Sequence, residues 1–177
     1  MKKQLSFFLV VLLSISLPVA AEVLQSGENG FSVSHSKTIS AVPSEVYETM
    51  TRHIDQWWDG DHSWSRNAAN LYLTPEINGC FCEKLPGEGH VEHLRIIYLS
   101  PAQEIRFDGE LGPLQTMAVQ GRMIWKIKAS DDGSEVSFTY HVHGFTEGGF
   151  SGLAPAVDDV IGEQLSRLAD HQATKSD

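Results

Sequence analysis

The densest chemistry in the sequence lies in one short polar stretch containing Trp57, Trp58, His62, Trp64 and Arg66. A tryptophan buries a large apolar area while offering a single N–H donor. Three of them so close together suit the wall or mouth of a pocket for a flat or aliphatic molecule. The same side chains equally suit a plug at one end of a core, beneath an irregular loop. A second constellation is Glu92, His93 and Arg95, followed by Arg106, Asp108 and Glu110. Side chains alternate between the faces of a strand, so His93 and Arg95 share a face with Val91 and Ile97. If that face turns inward, His93 and Arg95 become polar contacts inside the molecule, and acid–base chemistry with a carboxylate becomes feasible. If it turns outward, they are surface charges paired across strands. Leu94, Ile96 and Tyr98 occupy the other face, so parity leaves both readings open.

Cys80 and Cys82 are the only cysteines. Their spacing puts both on one face of a strand, as it does His141 and His143 on another. A mixed thiolate–imidazole metal site is conceivable from such a set. However, no CxxC pair or HExxH string occurs, and the two histidines fall on the polar face opposite Tyr140 and Val142. No metal or cofactor is therefore expected. The cysteines read as buried or cavity-lining thiols. A disulfide between them is the alternative, strained because residues two apart on a strand sit near the bridging limit. No nucleophile elbow for a Ser/His/Asp triad is found. The Gly-rich stretches 109–115 and 144–152 lack the spacing and lysine of a phosphate loop. They suit a mobile gate or ordinary turns.

Lys2 and Lys3, the apolar run Leu5–Leu17 and the small residues Pro18-Val19-Ala20-Ala21 read as a secretory signal cleaved after Ala21. The run is shorter than the roughly 20 apolar residues that a bilayer-spanning helix needs. The expected product is periplasmic or secreted, with no membrane anchor after cleavage. Losing Lys2 and Lys3 takes the formal charge from −10 to −12. That balance argues against nucleic acid and anionic membrane surfaces as partners, because both require positive charge.

The remaining chain must supply the elements that hold these groups. Residues 22–30 are polar and Gly-containing, and read as a flexible leader. Phe31–Ile39 alternates as a strand does. Pro43 suits a first helical turn, and Val46, Tyr47, Met50, Ile54 and Trp57 follow at helical spacing. Strands are expected over 71–74, 80–85, 91–99, 104–111, 118–129 and 135–145, separated by turn signals such as Asn78-Gly79 and Asp131-Asp132-Gly133. Short links imply an antiparallel meander. Met123, Trp125 and Ile127 share one apolar face, as do Val136, Phe138, Tyr140 and Val142. From Pro155 a helical stripe runs through Val157, Ile161, Leu165 and Leu168, with a tail that frays after about His171 and is assigned to 174–177.

This order of elements resembles the helix-grip fold of the START-like, or SRPBCC, superfamily, which includes birch-pollen-allergen-like proteins, polyketide aromatase/cyclases and homologues of the heat-shock ATPase activator. The likeness covers residues 31–173. Local strings resemble an uncharacterised exported bacterial branch: Trp57-Trp58 with His62-Ser63-Trp64-Ser65; Gly79-Cys80-Phe81-Cys82-Glu83; Val91-Glu92-His93; Leu111-Gly112-Pro113-Leu114-Gln115; and Leu153-Ala154-Pro155-Ala156-Val157-Asp158. The resemblance implies an α+β architecture: a curved antiparallel sheet of about seven strands around a long C-terminal helix, with one or two short helices after the first strand. It also implies a cavity between sheet and helix for a small apolar or amphipathic ligand. The expected lining is Trp57, Trp58, His62, Trp64, Cys82, His93, Arg95, Leu114, Trp125 and Tyr140. Should the cavity perform cyclase, dehydratase or hydrolase chemistry, His93, Glu92 and His62 are the candidates for proton transfer. A protein-interaction role follows by analogy with the ATPase-activator homologues. Fold alone does not choose among these functions.

Overall fold

A computed structural model describes residues 22–175. The expected signal segment 1–21 and the end of the expected tail lie outside the described residues. The chain is α+β. Its strands are β1 (Glu22–Ser26), β2 (Gly30–Ile39), β3 (Leu71–Leu73), β4 (Cys80–Lys84), β5 (His90–Ser100), β6 (Glu104–Asp108), β7 (Ala118–Ser130) and β8 (Gly133–Phe145). The helices are α1 (Pro43–Arg52), α2 (Ile54–Trp57) and α3 (Ala154–Thr174). One antiparallel sheet orders its strands β1-β2-β8-β7-β6-β5-β4-β3 and does not close. It has eight strands rather than about seven, because the expected flexible leader is partly a strand: β1 pairs along β2. Among the described residues no helix is long and apolar enough to cross a membrane.

Sequence pattern explains most of this. Along β7 and β8 burial alternates almost strictly, so Met123, Trp125, Ile127, Val136, Phe138 and Tyr140 face the helix side. Of the one or two short helices expected after the first strand there are two, separated at His53, whose backbone leaves the helical region. That break lets α2 turn Trp57 into the core. There it packs edge-on against Trp125 at 5.9 Å between centroids, and Trp125 stacks on Phe138 at 4.8 Å. At the other end, α3 runs through His171 to Thr174, slightly beyond the point where fraying was expected.

α3 lies across β2 and buries Ile161, Leu165 and Leu168. Close approach is possible because Gly162 has no side chain: a Cβ there would sit 2.7 Å from the ring of His35. His35 is held in place by Asp158 on the same helix, Nε2 to Oδ1 at 2.8 Å. The centre beneath α3 is filled by Trp57, Trp125, Phe138 and Leu165, all essentially inaccessible. Toward β4 and β5 the helix and sheet diverge, and the packing opens.

Candidate functional site

The opening is a cavity of about 400 Å³ between the first half of α3, strands β4 and β5, the crossing segment 58–64 and the segment 111–114. Its walls are mainly apolar, including Trp58, Phe81, Leu114, Val157 and Ile161. Three groups on α3 position the crossing segment. Arg167 donates from Nε to the Trp57 carbonyl at 3.1 Å, Gln164 accepts the Asp59 N–H at 2.8 Å, and Glu163 lies 3.3 Å from His62 Nε2. On the far side, Gly109 ends β6 in a left-handed conformation, φ +140°, which no side chain could share because a Cβ would press 2.6 Å from the His93 carbonyl. The stretch expected as strand to residue 111 therefore leaves the sheet, and a 3-10 turn, Gly112–Thr116, folds over the cavity. The Tyr140 hydroxyl fixes this cover, accepting the Leu111 N–H and donating to the Gly109 carbonyl, each at 3.1 Å. At the mouth, half-exposed Trp64 donates to the Gln115 side chain at 3.2 Å, and Gln115 donates to the Glu92 carbonyl at 2.8 Å. This clasp joins crossing segment, cover and β5.

The floor of the cavity holds the main polar feature. His93 is 4% exposed and Glu83 0%, with His93 Nε2 3.0 Å from Glu83 Oε2. Glu83 also accepts the backbone N–H groups of Trp64, at 3.0 Å, and Ser65. Burial works to raise the Glu83 carboxyl, but the hydrogen bonds from Ser65, Trp64 and His93 outweigh it and hold the group below its ordinary value. Burial pulls the His93 imidazole below its ordinary value, against the opposing pull of Glu83. At neutral pH the pair is thus an ionised carboxylate and a neutral imidazole. An ionised carboxylate only accepts, so His93 carries its proton on Nε2 and its Nδ1 is an acceptor. A His–carboxylate pair with a free second nitrogen is the arrangement that general bases use.

His93 points inward because of a bulge. Phe81 pairs with Leu94 and Cys82 with Glu92, so His93 is the extra residue on β5 between them. Both His93 and Leu94 then face the core. Past the bulge, Arg95 is exposed and binds Glu92 through Nε and Nη2 at 3.0 and 2.7 Å. Arg95 is therefore not a cavity residue, and Glu92 is a surface carboxylate rather than an acid–base candidate.

Of the expected lining, Trp58, His62, Trp64, His93 and Leu114 do line the cavity. Trp57, Trp125 and Tyr140 belong to the core behind it. Trp57 plugs the interior and donates to the Thr49 carbonyl at 3.1 Å. Cys82 is also outside the lining, and the expected thiols are instead a Cys80–Cys82 disulfide. The two Cα atoms are 5.4 Å apart, within the range that disulfides span. His141 faces away from the cavity and meets Ser32 at 2.7 Å. Glu83 was not singled out from the sequence, although it shares strand parity with inward-facing Phe81, and that was the available signal. Among the described residues one mixed cluster, Asp59, His62 and Glu163, brings ligand-type atoms within 4.8 Å of one another at the mouth.

No family model and no curated protein matches the sequence. Solved structures share the fold. The protein MLL2253 from Mesorhizobium loti is 12% identical, with a TM-score of 0.59 over 82% of this chain and 98% of that one. The Aha1 dimer from Colwellia psychrerythraea is 14% identical, with a TM-score of 0.56 over 80% and 95%. An uncharacterised protein from Rhizobium leguminosarum is 16% identical, with a TM-score of 0.55 over 77% and 93%. At these identities the likeness is one of fold.

Proposed function

We propose that this chain is an exported START-like protein that holds a small hydrophobic or amphipathic molecule between its sheet and C-terminal helix. One observation carries the reading. Beneath α3 about 400 Å³ is left open, walled mainly by apolar side chains and by buried His93, which is paired with Glu83 behind it. That combination is typical of small-molecule sites. The signal-like N-terminus supports export, and the disulfide suits an oxidising compartment. The acidic balance weighs against nucleic acid and anionic membranes as partners. Thermal-shift screening of the purified protein against lipids, aromatics and polyketide-like molecules tests the reading, alongside mass spectrometry of what co-purifies. A ligand at a hundred times its Kd stabilises the folded state by about 2.7 kcal/mol. No shift with any apolar class would sink it.

A second reading, acid–base catalysis in the same cavity, is favoured by the His93–Glu83 pair. Glu92 has no part in it. Turnover of a bound ligand, abolished in His93→Phe, would separate catalysis from binding alone. The likeness to the Aha1 dimer is one of fold and carries an interaction role only by analogy, whereas the open apolar interior favours a small ligand.

A further inference from the structure

Granted that the cavity holds a ligand as proposed above, its polar atoms restrict what that ligand can be. The indole and hydroxyl donors along the wall are already engaged. Trp58 Nε1 donates to the His62 carbonyl, Trp64 Nε1 to Gln115, and the Ser63 hydroxyl to the Gly60 carbonyl. His62 pairs with Glu163 through Nε2 at the mouth, where it is partly exposed, whereas His93 is buried. An acceptor remains. His93 hydrogen-bonds through Nε2 alone, and Nδ1 has no partner among the described residues. Nδ1 is not fully enclosed, and His93 is one of the residues that line the cavity. Charge points the same way. No lysine or arginine lines the cavity; Asp61 does, with Asp59 and Glu163 beside His62 at the mouth. An anionic headgroup would meet negative charge and find no cation to pair with in an apolar space, where an unpaired charge is costly.

We propose that the cavity selects a neutral, largely apolar molecule bearing one hydroxyl or N–H donor, which binds His93 Nδ1, and that it rejects carboxylates of the same shape. Glu83 is the positioning residue. Its two backbone N–H contacts fix the carboxylate, and the carboxylate fixes the tautomer that leaves Nδ1 as an acceptor. A ligand offering only acceptors, such as a ketone or simple ester, gains nothing at this point.

The test uses matched probes at neutral pH: 2-naphthol, naphthalene and 2-naphthoate, titrated by fluorescence or calorimetry. Naphthol is expected to bind roughly tenfold more tightly than naphthalene, as one net hydrogen bond allows, and naphthoate more weakly than either. If none of the three binds, the cavity reading fails and takes this one with it. If all three bind alike, or naphthoate binds best, the selectivity is overturned while the cavity reading stands. In His93→Phe the preference for naphthol over naphthalene should vanish with naphthalene binding kept; a folded variant that keeps the preference overturns the proposal. Nitrogen-15 NMR of the His93 ring needs no variant. It should show an unprotonated Nδ1 whose resonance moves when naphthol is added, and a protonated Nδ1 would refute the assignment.

Discussion

Glu83 shows how a buried charge becomes tolerable. Fully enclosed, it would ordinarily take up a proton, but two backbone N–H groups and an imidazole N–H reach it together. Replacing it with alanine leaves those buried donors without an acceptor. Glu83→Ala should therefore destabilise the fold by about 3 kcal/mol, read from the urea midpoint. Both members of the pair have folded-state values below their ordinary ones, so the unfolded chain takes up protons first as the pH drops. Their contribution is complete above pH 6.5, the ordinary imidazole value, and declines on acidification, first through His93. Below pH 4.5, the ordinary carboxyl value, Glu83 adds its own loss. The urea midpoint should fall between pH 7.5 and 5.5, and a midpoint that rose would contradict the ionisation states assigned here. Parity with Phe81 is the one signal in the sequence that points to Glu83, although it was not singled out there. His93 was not legible in the same way, because a bulge resets the alternation at that residue.

At the scale of elements, the cavity exists because two irregular segments are tied to regular ones. Side chains of α3 anchor the crossing segment, and Tyr140 of β8 anchors the cover. Burial keeps the Tyr140 phenol well above its ordinary value, so the hydroxyl stays intact as donor and acceptor through the alkaline range. Tyr140→Phe removes both contacts with little change of volume. We expect a loss of about 1–2 kcal/mol in stability and faster hydrogen exchange at the Leu111 amide. Unchanged exchange at Leu111 would mean that the cover is held by its packing instead. The strand patterns of β7 and β8 were plain in the sequence because each has one wet face. The stretch 109–115 stood out as a gate or turn, but the point where the strand ends did not, because extended and turn residues look alike until the left-handed Gly109 is seen.

For the molecule as a whole, an open sheet grips one long helix, and the grip is tight at one end and loose at the other. The tight end holds Trp57, Trp125, Phe138 and Leu165; the loose end holds the cavity. The disulfide contributes little to this arrangement, since it closes a loop of very few residues. Reduction should lower stability by no more than about 2 kcal/mol, and the loss should match that of a Cys80→Ser, Cys82→Ser double variant. A much larger loss would show that the bridge maintains the pairing of β4 with β5, and through it the inward turn of His93.

By itself the sequence determined the element types and their order from β2 onward, the apolar faces of the long strands and the acidic balance, because those follow from side-chain periodicity and composition. It also brought together the tryptophans and the histidine that shape the site. Only the tertiary structure decided which of them enters the cavity. Trp57 and Trp58 are chain neighbours, yet one plugs the core and the other lines the opening. Arg95, expected on the same face as His93, ends up in water. The physical reason is that one extra residue in a strand reverses every side chain beyond it, and the energy that favours that slip lies in contacts between distant parts of the chain.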